Sequence, residues 1–465
     1  MALSGLEIYK LLPKTNCKEC GFPTCLAFAM KLAAKQAELA ACTYVSEEAK
    51  AALAAAAAPP IRLITISSDD RKIEVGNETV MFRHEKTFYH EPGLLVRIKD
   101  TQPLDEFEAI VTRAASYSVE RVGMELNVSG FAVEHASGDP ALFVERVQAL
   151  RARANLPLVL MSQDPAAMEA ALAKLQGAAP LLYAADRDNW QVMAELARKH
   201  SLPLAVREGG DSSTTLRQGS GQGSGQRLTA LANLVEQVKQ AGVEDIVLDP
   251  GARGPVDTLI SLTQLRRLAL KKNFRLLGYP IITFPGEGAA SEAEEVVLAA
   301  QHIAKYSGFI VLDHFDPATM YPLLTLRLNI YTDPQKPIQM EPGIYEFGEP
   351  TADSPLLTTT NFSLTYFSVA GELESSGVPC WLLVCDSEGL SVLTAWAAGN
   401  FDAEVIAKMV KRFNPEEKIA HRKIVIPGLV AVISGELEDE LSGWEVMVGP
   451  REAVDIPAYL KLWQS

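Results

Sequence analysis

Eight short apolar segments recur through the middle of the sequence, and each is followed by a longer stretch of helix-forming composition. Continuous runs of valine, leucine and isoleucine are typical of parallel strands that are buried on both faces. Eight strand–helix units over roughly 220 residues match a (β/α)8 TIM barrel in number and length. The predicted strands are residues 94–98, 121–126, 157–161, 180–183, 203–206, 245–249, 280–283 and 308–313.

Other regions flank this barrel, so the predicted fold class is α/β with several domains. Pro59-Pro60 follows an alanine-rich helix and marks a boundary, because proline cannot continue a helix. β-branched alternation around turns at 69–70 and 76–77 predicts hairpins that close one end of the barrel. The predicted domains are a small helical module (1–58), a linker with hairpins (59–92), the barrel (93–326) and a Rossmann-like α/β domain (327–465).

The last of these domains shows fewer but clear signals. Its predicted strands are 381–385, 423–426 and 444–448, and its predicted helices lie near 364–375, 391–398 and 402–412. This alternation predicts an open α/β sandwich.

One segment interrupts the barrel pattern. Residues 216–226 consist mostly of glycine, serine and glutamine, which cannot bury a core. We expect a mobile excursion from the loop after the fifth strand and assign it no chemistry.

The charge balance excludes one class of partner. The net charge is −15 and the pI is about 5.1, so the basic surface that phosphate-backbone binding requires is missing. The first residues also lack the features of a secretory signal, and no apolar run reaches membrane-spanning length. The expectation is a cytoplasmic protein that binds neither nucleic acid nor membrane.

Four of the six cysteines crowd into the N-terminal module as Cys17, Cys20, Cys25 and Cys42. Four thiolates supply one ligand per iron of a [4Fe–4S] cluster, and one tight loop can bind three of its corners. A zinc site usually draws its ligands from two paired knuckles, so zinc and incidental cysteines are the weaker alternatives. Cys380 and Cys385 flank an apolar strand and are interpreted as buried free thiols.

The module also carries the motif of a known family. Residues 6–29, with Asn16-Cys17 and the run Cys20-Gly21-Phe22-Pro23-Thr24-Cys25, resemble the cluster domain of corrinoid iron-sulfur protein large (gamma) subunits. Residues 358–367 and 391–396 look like corrinoid-binding segments of that family. The resemblance covers the whole chain and implies a base-off cobamide held by the C-terminal domain. The implied cofactor contacts are Thr359, Thr360, Asn361, Thr365, Gly389, Leu390, Ser391, Val392, Leu393, Thr394, Gly428, Ser434, Gly435, Pro450, Arg451 and Ala453.

Within that set, Thr394 is our candidate for the residue beneath cobalt, since a hydroxyl is a weak ligand. The motif Asp-x-His-x-x-Gly, which places a histidine on cobalt, is absent. His90 and His135 have the right following residues, but Phe88 and Val133 stand where the aspartate belongs. We therefore interpret both histidines as surface or loop residues.

The barrel rim leaves two interpretations open. Asp249 and Asp313 end predicted strands six and eight, and Asn127 follows predicted strand two. Barrels place chemistry at this rim, and pterin-binding barrels use Asn and Asp there. Capping of the loops by the aspartates is the alternative.

The family resemblance implies a methyl carrier of the reductive acetyl-CoA (Wood–Ljungdahl) pathway. Cobalt(I) would accept a methyl group from methyltetrahydrofolate through a separate methyltransferase and deliver it to acetyl-CoA synthase, while the cluster reactivates cobalt(II). The implied partners are a small (delta) subunit in a heterodimer, methyltetrahydrofolate methyltransferase, acetyl-CoA synthase/CO dehydrogenase and a reductive activator. Two alternatives are a barrel methyltransferase that binds the pterin itself and a redox activator of another corrinoid protein.

Overall fold

The computed structural model divides the chain into two compact units. The barrel unit comprises Met1–Tyr117 and Val128–Arg327, and the C-terminal unit comprises Ser118–Asn127 and Leu328–Ser465. The structure describes residues 5–33, 36–46, 49–50, 53, 59–69, 71–208, 221–333 and 338–463.

Strands and helices alternate through most of the described residues. The strands are β1 (Ile64–Ser67), β2 (Lys72–Val75), β3 (Gly93–Lys99), β4 (Ser118–Arg121), β5 (Met124–Asn127), β6 (Gly130–Glu134), β7 (Leu158–Met161), β8 (Leu181–Ala185), β9 (Leu204–Arg207), β10 (Ile246–Asp249), β11 (Ile282–Thr283), β12 (Phe309–Leu312), β13 (Gly343–Phe347), β14 (Leu356–Thr360), β15 (Cys380–Cys385), β16 (Lys423–Ile426) and β17 (Glu445–Val448). The α-helices are α1 (Gly5–Leu11), α2 (Cys25–Ala33), α3 (Leu104–Ala115), α4 (Pro140–Arg153), α5 (Pro165–Leu172), α6 (Trp190–His200), α7 (Gly221–Gln240), α8 (Pro255–Lys271), α9 (Glu292–Ala304), α10 (Pro317–Tyr331), α11 (Ser363–Ser376), α12 (Val392–Ala397), α13 (Ala403–Phe413), α14 (Ser434–Glu440) and α15 (Ile456–Leu460).

The predicted parallel barrel is confirmed. Its eight strands run in the order β10-β9-β8-β7-β6-β3-β12-β11, with every neighbouring pair parallel. The backbone N–H of Leu248 donates to the Pro280 carbonyl at 2.8 Å, so β10 also meets the chain that leads into β11. Inward-facing residues such as Leu95, Val159 and Val247 are fully buried. The interior is therefore a packed core rather than a channel.

The prediction for the second strand of the barrel was wrong. Residues 118–127 form the antiparallel hairpin β4–β5, and they belong to the C-terminal unit. Val122 and Gly123 have φ values of +50° and +78°, which suits a two-residue hairpin turn. The second barrel strand is β6, whose first four residues are buried. Asn127 consequently ends a strand of this hairpin and not a strand of the barrel.

The hairpin β1–β2 closes one end of the barrel, as predicted. Ile64, Ile66, Ile73 and Val75 belong to the same hydrophobic cluster as the inward-facing strand residues. Ser67 N–H donates to the Ala179 carbonyl at 3.0 Å, just before β8 begins. The hairpin thus covers the amino-terminal ends of the strands and leaves the carboxyl-terminal rim for the loops.

The second predicted hairpin, around residues 76–77, does not form. Residues 76–92 contain no strand. The Glu78 carboxylate instead accepts the Tyr89 N–H at 2.8 Å and pairs with the buried Arg266 guanidinium at 3.3 Å. These side-chain contacts organise the segment in place of a strand ladder.

The glycine-rich tract departs from its prediction in part. Residues 221–226 form the beginning of α7, and residues 216–220 lie outside the described residues. The remainder of α7 buries Leu231, Val235 and Val238. Because adding residues to an existing helix is much easier than starting one, this packed segment extends back into the tract.

The C-terminal unit contains a five-stranded sheet in the order β13-β15-β14-β16-β17. Only the β13–β15 pair is antiparallel. The three predicted strands appear as β15, β16 and β17, and the three predicted helices appear as α11, α12 and α13. The sequence analysis missed β13, β14, α14 and α15. In the described part of the chain, no helix is both long and apolar enough to cross a membrane.

Candidate cofactor sites

Three of the four N-terminal cysteines belong to one packed cluster. Cys25 and Cys42 are buried in it, with 6 % and 7 % of their surface exposed, and Cys20 packs against its edge. Cys17 is exposed on the same loop. The other buried members are Ile8, Leu12, Phe28, Ala29, Val45, Ala49 and Leu53. Helix α1 can approach α2 closely, because a Cβ on Gly5 would lie 2.2 Å from the Met30 sulfur.

The loop that carries Cys17 and Cys20 follows an unusual backbone path. Lys14, Asn16, Lys18 and Gly21 all have positive φ, between +51° and +82°. Asparagine and glycine tolerate this left-handed region, whereas lysine is disfavoured there. Residues persist in such conformations when surrounding contacts hold them.

Two sets of hydrogen bonds tie this loop to the neighbouring segments. Asn16 Oδ1 accepts the Cys25 N–H at 2.8 Å, while the Asn16 N–H donates to Cys25 Sγ at 3.4 Å. The Glu19 carboxylate accepts from Tyr44 Oη at 2.9 Å and from Thr43 Oγ1 at 3.3 Å. The hydrogen bond to Glu19 and the negative charge of Glu19 raise the pKa of the Tyr44 hydroxyl. The loop is thus joined both to the start of α2 and to the residues that follow Cys42.

Four thiols have the donor chemistry that an iron–sulfur cluster requires. Within the described residues, however, no three His, Cys, Asp or Glu side chains are grouped so that they could hold a metal ion. The four-cysteine ligand set therefore remains a prediction from the sequence. The structure supports it by placing three of these thiols in one small module with a tied loop.

The second candidate site lies at the edge of the five-stranded sheet. Strand β14 pairs in parallel with β15 on one side and with β16 on the other. The chain therefore runs from β14 to β15 on one side and then crosses to β16 on the opposite side. Open α/β sheets bind ligands in the crevice beyond the carboxyl ends of such strands. A cavity of about 400 Å³ lies there, between the ends of β14 and β16 and the loop after β17.

Eight of the sixteen predicted contact residues line this cavity. They are Thr359, Thr365, Ser391, Val392, Leu393, Pro450, Arg451 and Ala453. The lining also includes apolar side chains that sequence reasoning missed: Leu357, Val369, Val425, Ile426, Leu429 and Ile456. Val369 could have been found from helical periodicity, because it lies one turn beyond Thr365 on α11.

The cavity combines an apolar surface with unused polar groups. Leu364, Leu393 and Leu429 line it and remain 67 %, 47 % and 38 % exposed. Thr359 is 1 % exposed, and its hydroxyl has no hydrogen-bond partner in the described structure. A buried hydroxyl without a partner is costly, so a ligand with amide groups at its edge would satisfy it. These features suit a broad apolar ligand with a polar fringe.

Asn361 is among the predicted contacts that do not line the cavity. Its side-chain oxygen accepts from Ser387 N–H at 3.0 Å, Ser387 Oγ at 2.7 Å and Gly389 N–H at 3.0 Å. Its amide nitrogen donates to Gln339 and Asp386. This side chain therefore holds the loop between β15 and α12, which carries Ser391 to the cavity.

The other predicted contacts outside the lining occupy varied positions. Thr394 is exposed on α12, and its hydroxyl lies 3.0 Å from Ser391 Oγ. Gly428 packs against backbone, since a Cβ there would lie 2.5 Å from the Gly449 carbonyl oxygen. The remaining positions are Thr360 at the end of β14, Gly389 and Leu390 in the loop between β15 and α12, and Ser434 and Gly435 at the start of α14.

The barrel rim carries ion pairs that occupy both predicted aspartates. Asp249 is fully buried and accepts from Tyr183 Oη at 2.6 Å and from both Arg253 nitrogens at 3.0 and 2.9 Å. Burial would raise the pKa of this carboxyl, but Arg253 and Tyr183 outweigh it and hold the pKa below its ordinary value. Asp313 accepts from the buried Arg97 guanidinium at 2.6 Å. These contacts favour a structural role for Asp249 and Asp313 over a role in binding a pterin.

The two C-terminal cysteines are buried free thiols, as predicted. Burial raises the pKa of both Cys380 and Cys385 to about 12. Such thiols remain protonated and unreactive at neutral pH.

A small helical cysteine module followed by a parallel barrel and an α/β unit defines an α/β protein with an iron–sulfur-type segment. Residues 12–44 match the family model described as "Putative Fe-S cluster", and residues 63–460 match "CO dehydrogenase/acetyl-CoA synthase delta subunit". The chain is 45 % identical to the corrinoid/iron-sulfur protein large subunit of Moorella thermoacetica, covering 99 % of both chains. It is 36 % identical to the acetyl-CoA decarbonylase/synthase complex subunit gamma of Methanothermobacter thermautotrophicus, again covering 99 % of each. The chain belongs to the family of corrinoid/iron-sulfur protein large subunits.

A solved dihydropteroate synthase from Thermus thermophilus is also similar to part of the chain. The matched region covers 58 % of this chain and 99 % of the synthase chain, at 17 % identity and a TM-score of 0.40.

We predict that Asn361→Leu destabilises the C-terminal unit by roughly 3 kcal/mol, because the buried Ser387 and Gly389 donors lose their acceptor. Urea denaturation of the full chain measures the loss, and hydrogen exchange should localise it to residues 386–390. Asn400→Ala is the matched control, since Asn400 only reaches Glu388 at 3.4 Å on the surface. Equal stability of the two variants would contradict the assigned role.

Proposed function

We propose that this chain is a methyl-group carrier of the anaerobic acetyl-CoA pathway. In the proposal, residues 1–58 bind a [4Fe–4S] cluster through Cys17, Cys20, Cys25 and Cys42, and residues 327–465 bind a cobamide. When bound, the corrinoid supplies a cobalt(I) nucleophile that takes the methyl group, and the cluster supplies the electron that restores cobalt(I). The observation that carries the proposal is the apolar cavity with the unpartnered Thr359 hydroxyl.

The residues around the cavity bind and orient the cofactor in this account. Leu364, Leu393 and Leu429 would pack against the ring, and the Thr359 hydroxyl would bind an amide of its fringe. The eight predicted contacts outside the lining act through the loops they hold or on the parts of the cofactor that extend beyond the cavity. Thr394 remains our candidate for the residue beneath cobalt.

The chain then works as a subunit rather than as a stand-alone catalyst. We propose that the chain forms a heterodimer with a small (delta) subunit. The heterodimer exchanges methyl groups with a methyltetrahydrofolate methyltransferase and with acetyl-CoA synthase/CO dehydrogenase. A reductive activator supplies electrons. The ion pairs of Asp249 and Asp313 support this carrier role over the alternative of a pterin-binding barrel, because both carboxylates already have partners.

We predict that Leu393→Glu lowers the cobalt retained per chain about ten-fold after anaerobic reconstitution and gel filtration, since a charge would face the apolar ring. Iron content should not change. Val432→Glu is the control, because Val432 is 71 % exposed and does not line the cavity. Wild-type cobalt retention in Leu393→Glu would contradict the placement of the cobamide.

No histidine replaces the lower base on cobalt in this proposal. Of the seven histidines in the sequence, only His421 falls within residues 328–465. Its Nε2 lies 2.9 Å from the Ser354 carbonyl, its Nδ1 accepts the Lys423 N–H at 3.2 Å, and it does not line the cavity. The cobalt(II) electron paramagnetic resonance spectrum should show no nitrogen superhyperfine splitting. Resolved triplets would refute the base-off state.

The proposed division of labour predicts that a cluster-free Cys20→Ala variant, chemically reduced to cobalt(I), still accepts and donates methyl groups at near-normal rates. Methyl transfer itself needs no net electron, so the cluster acts only in rescue from cobalt(II). The variant should fail to accept methyl groups only when its cobalt(II) must first be reduced by a physiological electron donor. Failure of the pre-reduced variant to become methylated would place the cluster in the transfer chemistry.

A further inference from the structure

Asn16 makes a reciprocal contact with one proposed cluster ligand. Its side-chain oxygen accepts the N–H of Cys25 at 2.8 Å, and its own N–H points back at the Cys25 sulfur, 3.4 Å away. The two residues lie nine positions apart in the sequence. The contact therefore closes the loop that contains Cys17 and Cys20 onto the first residue of α2.

The backbone of Asn16 is suited to this arrangement. Its φ is +51°, in the left-handed region that asparagine adopts more readily than most residues. In this conformation, the Asn16 side chain and the Asn16 backbone N–H both reach Cys25. An alanine there would lose the side-chain acceptor and disfavour the same backbone angle.

The N–H to sulfur contact has a consequence for redox chemistry. Hydrogen bonds to ligand sulfurs are among the factors that set cluster potentials. A donor near a thiolate stabilises negative charge, which favours the reduced form of a cluster. The same contact keeps Cys25 Sγ oriented when no cluster is bound.

We propose that Asn16 is a positioning residue that fixes the Cys25 sulfur for cluster assembly and raises the cluster's reduction potential. The inference rests on the proposed cluster ligation. Asn16 would affect the cluster without being one of its ligands, through its contact with Cys25.

A purely structural role is the competing explanation, because Asn16 Oδ1 also caps α2. Thr24 caps the same helix independently: its hydroxyl accepts the Ala27 N–H at 3.0 Å and its carbonyl accepts the Phe28 N–H at 3.1 Å. No contact between the Thr24 side chain and a cysteine sulfur is found among the described hydrogen bonds. Thr24→Ala therefore separates helix capping from sulfur positioning.

The experiment compares the wild-type full chain with Asn16→Ala, Asn16→Gly and Thr24→Ala, each reconstituted anaerobically with iron and sulfide. Iron release to a chelator and the midpoint potential from an electron paramagnetic resonance titration are measured. Both Asn16 variants keep the backbone N–H but lose the side-chain oxygen that holds Asn16 against Cys25. We therefore expect about ten-fold faster iron release in both, as for the loss of one hydrogen bond. Both should also show a lower potential, while Thr24→Ala stays near wild type in both measurements.

Asn16→Gly distinguishes the side-chain contact from backbone strain, since glycine adopts positive φ freely. Wild-type behaviour of Asn16→Gly would overturn the proposal, and so would equal effects of Thr24→Ala and Asn16→Ala. If the wild-type chain itself binds no cluster, the proposed function fails instead. The two failures are therefore distinguishable.

Discussion

Parallel pairing of β14 with both β15 and β16 is the constraint on which the proposed corrinoid site depends. It brings the ends of β14 and β16 to one edge of the sheet, and the loop after β17 reaches the same edge. The resulting cavity is bounded by residues far apart in the chain, from Leu357 to Ile456. Asn361 then sets the position of the next loop through bonds to Ser387 and Gly389. The cavity is thus a consequence of strand order, and its polarity depends on a few side chains.

Much of this architecture could be predicted from the sequence, because buried parallel strands are continuous apolar runs. Seven of the eight predicted barrel strands overlap observed strands of the barrel. The exception, 121–126, failed because positive φ at Val122 and Gly123 makes a hairpin, which an apolar count does not detect. Strand β14 was missed because three of its five residues are threonines, although all five are buried. The Thr358 hydroxyl is satisfied by the Leu383 carbonyl at 3.1 Å, and that tertiary contact is not visible in the sequence.

The candidate sites were predictable to a smaller extent. Sequence resemblance pointed to loops of the C-terminal unit that the fold brings together, since eight of the sixteen predicted residues line one cavity. It could not separate ligand-facing residues from those that support the loops, such as Asn361, because both kinds are polar residues near strand ends. The apolar residues that line the cavity were missed because their sequence pattern is that of a buried core. Val425 and Ile426 look like ordinary core residues until the strand order shows that they end at an open cavity.

The barrel and the C-terminal unit differ in what their strand ends contain. The barrel rim holds ion pairs around Asp249 and Arg97, whereas the C-terminal edge holds an open apolar cavity. Amide hydrogen exchange of the full chain with and without added cobamide, under anaerobic conditions, tests this contrast directly. The account predicts new protection in residues 357–365, 391–393 and 449–453, with the barrel loops unchanged. Protection at residues 249–253 and 313–316, with none in the C-terminal loops, would contradict it.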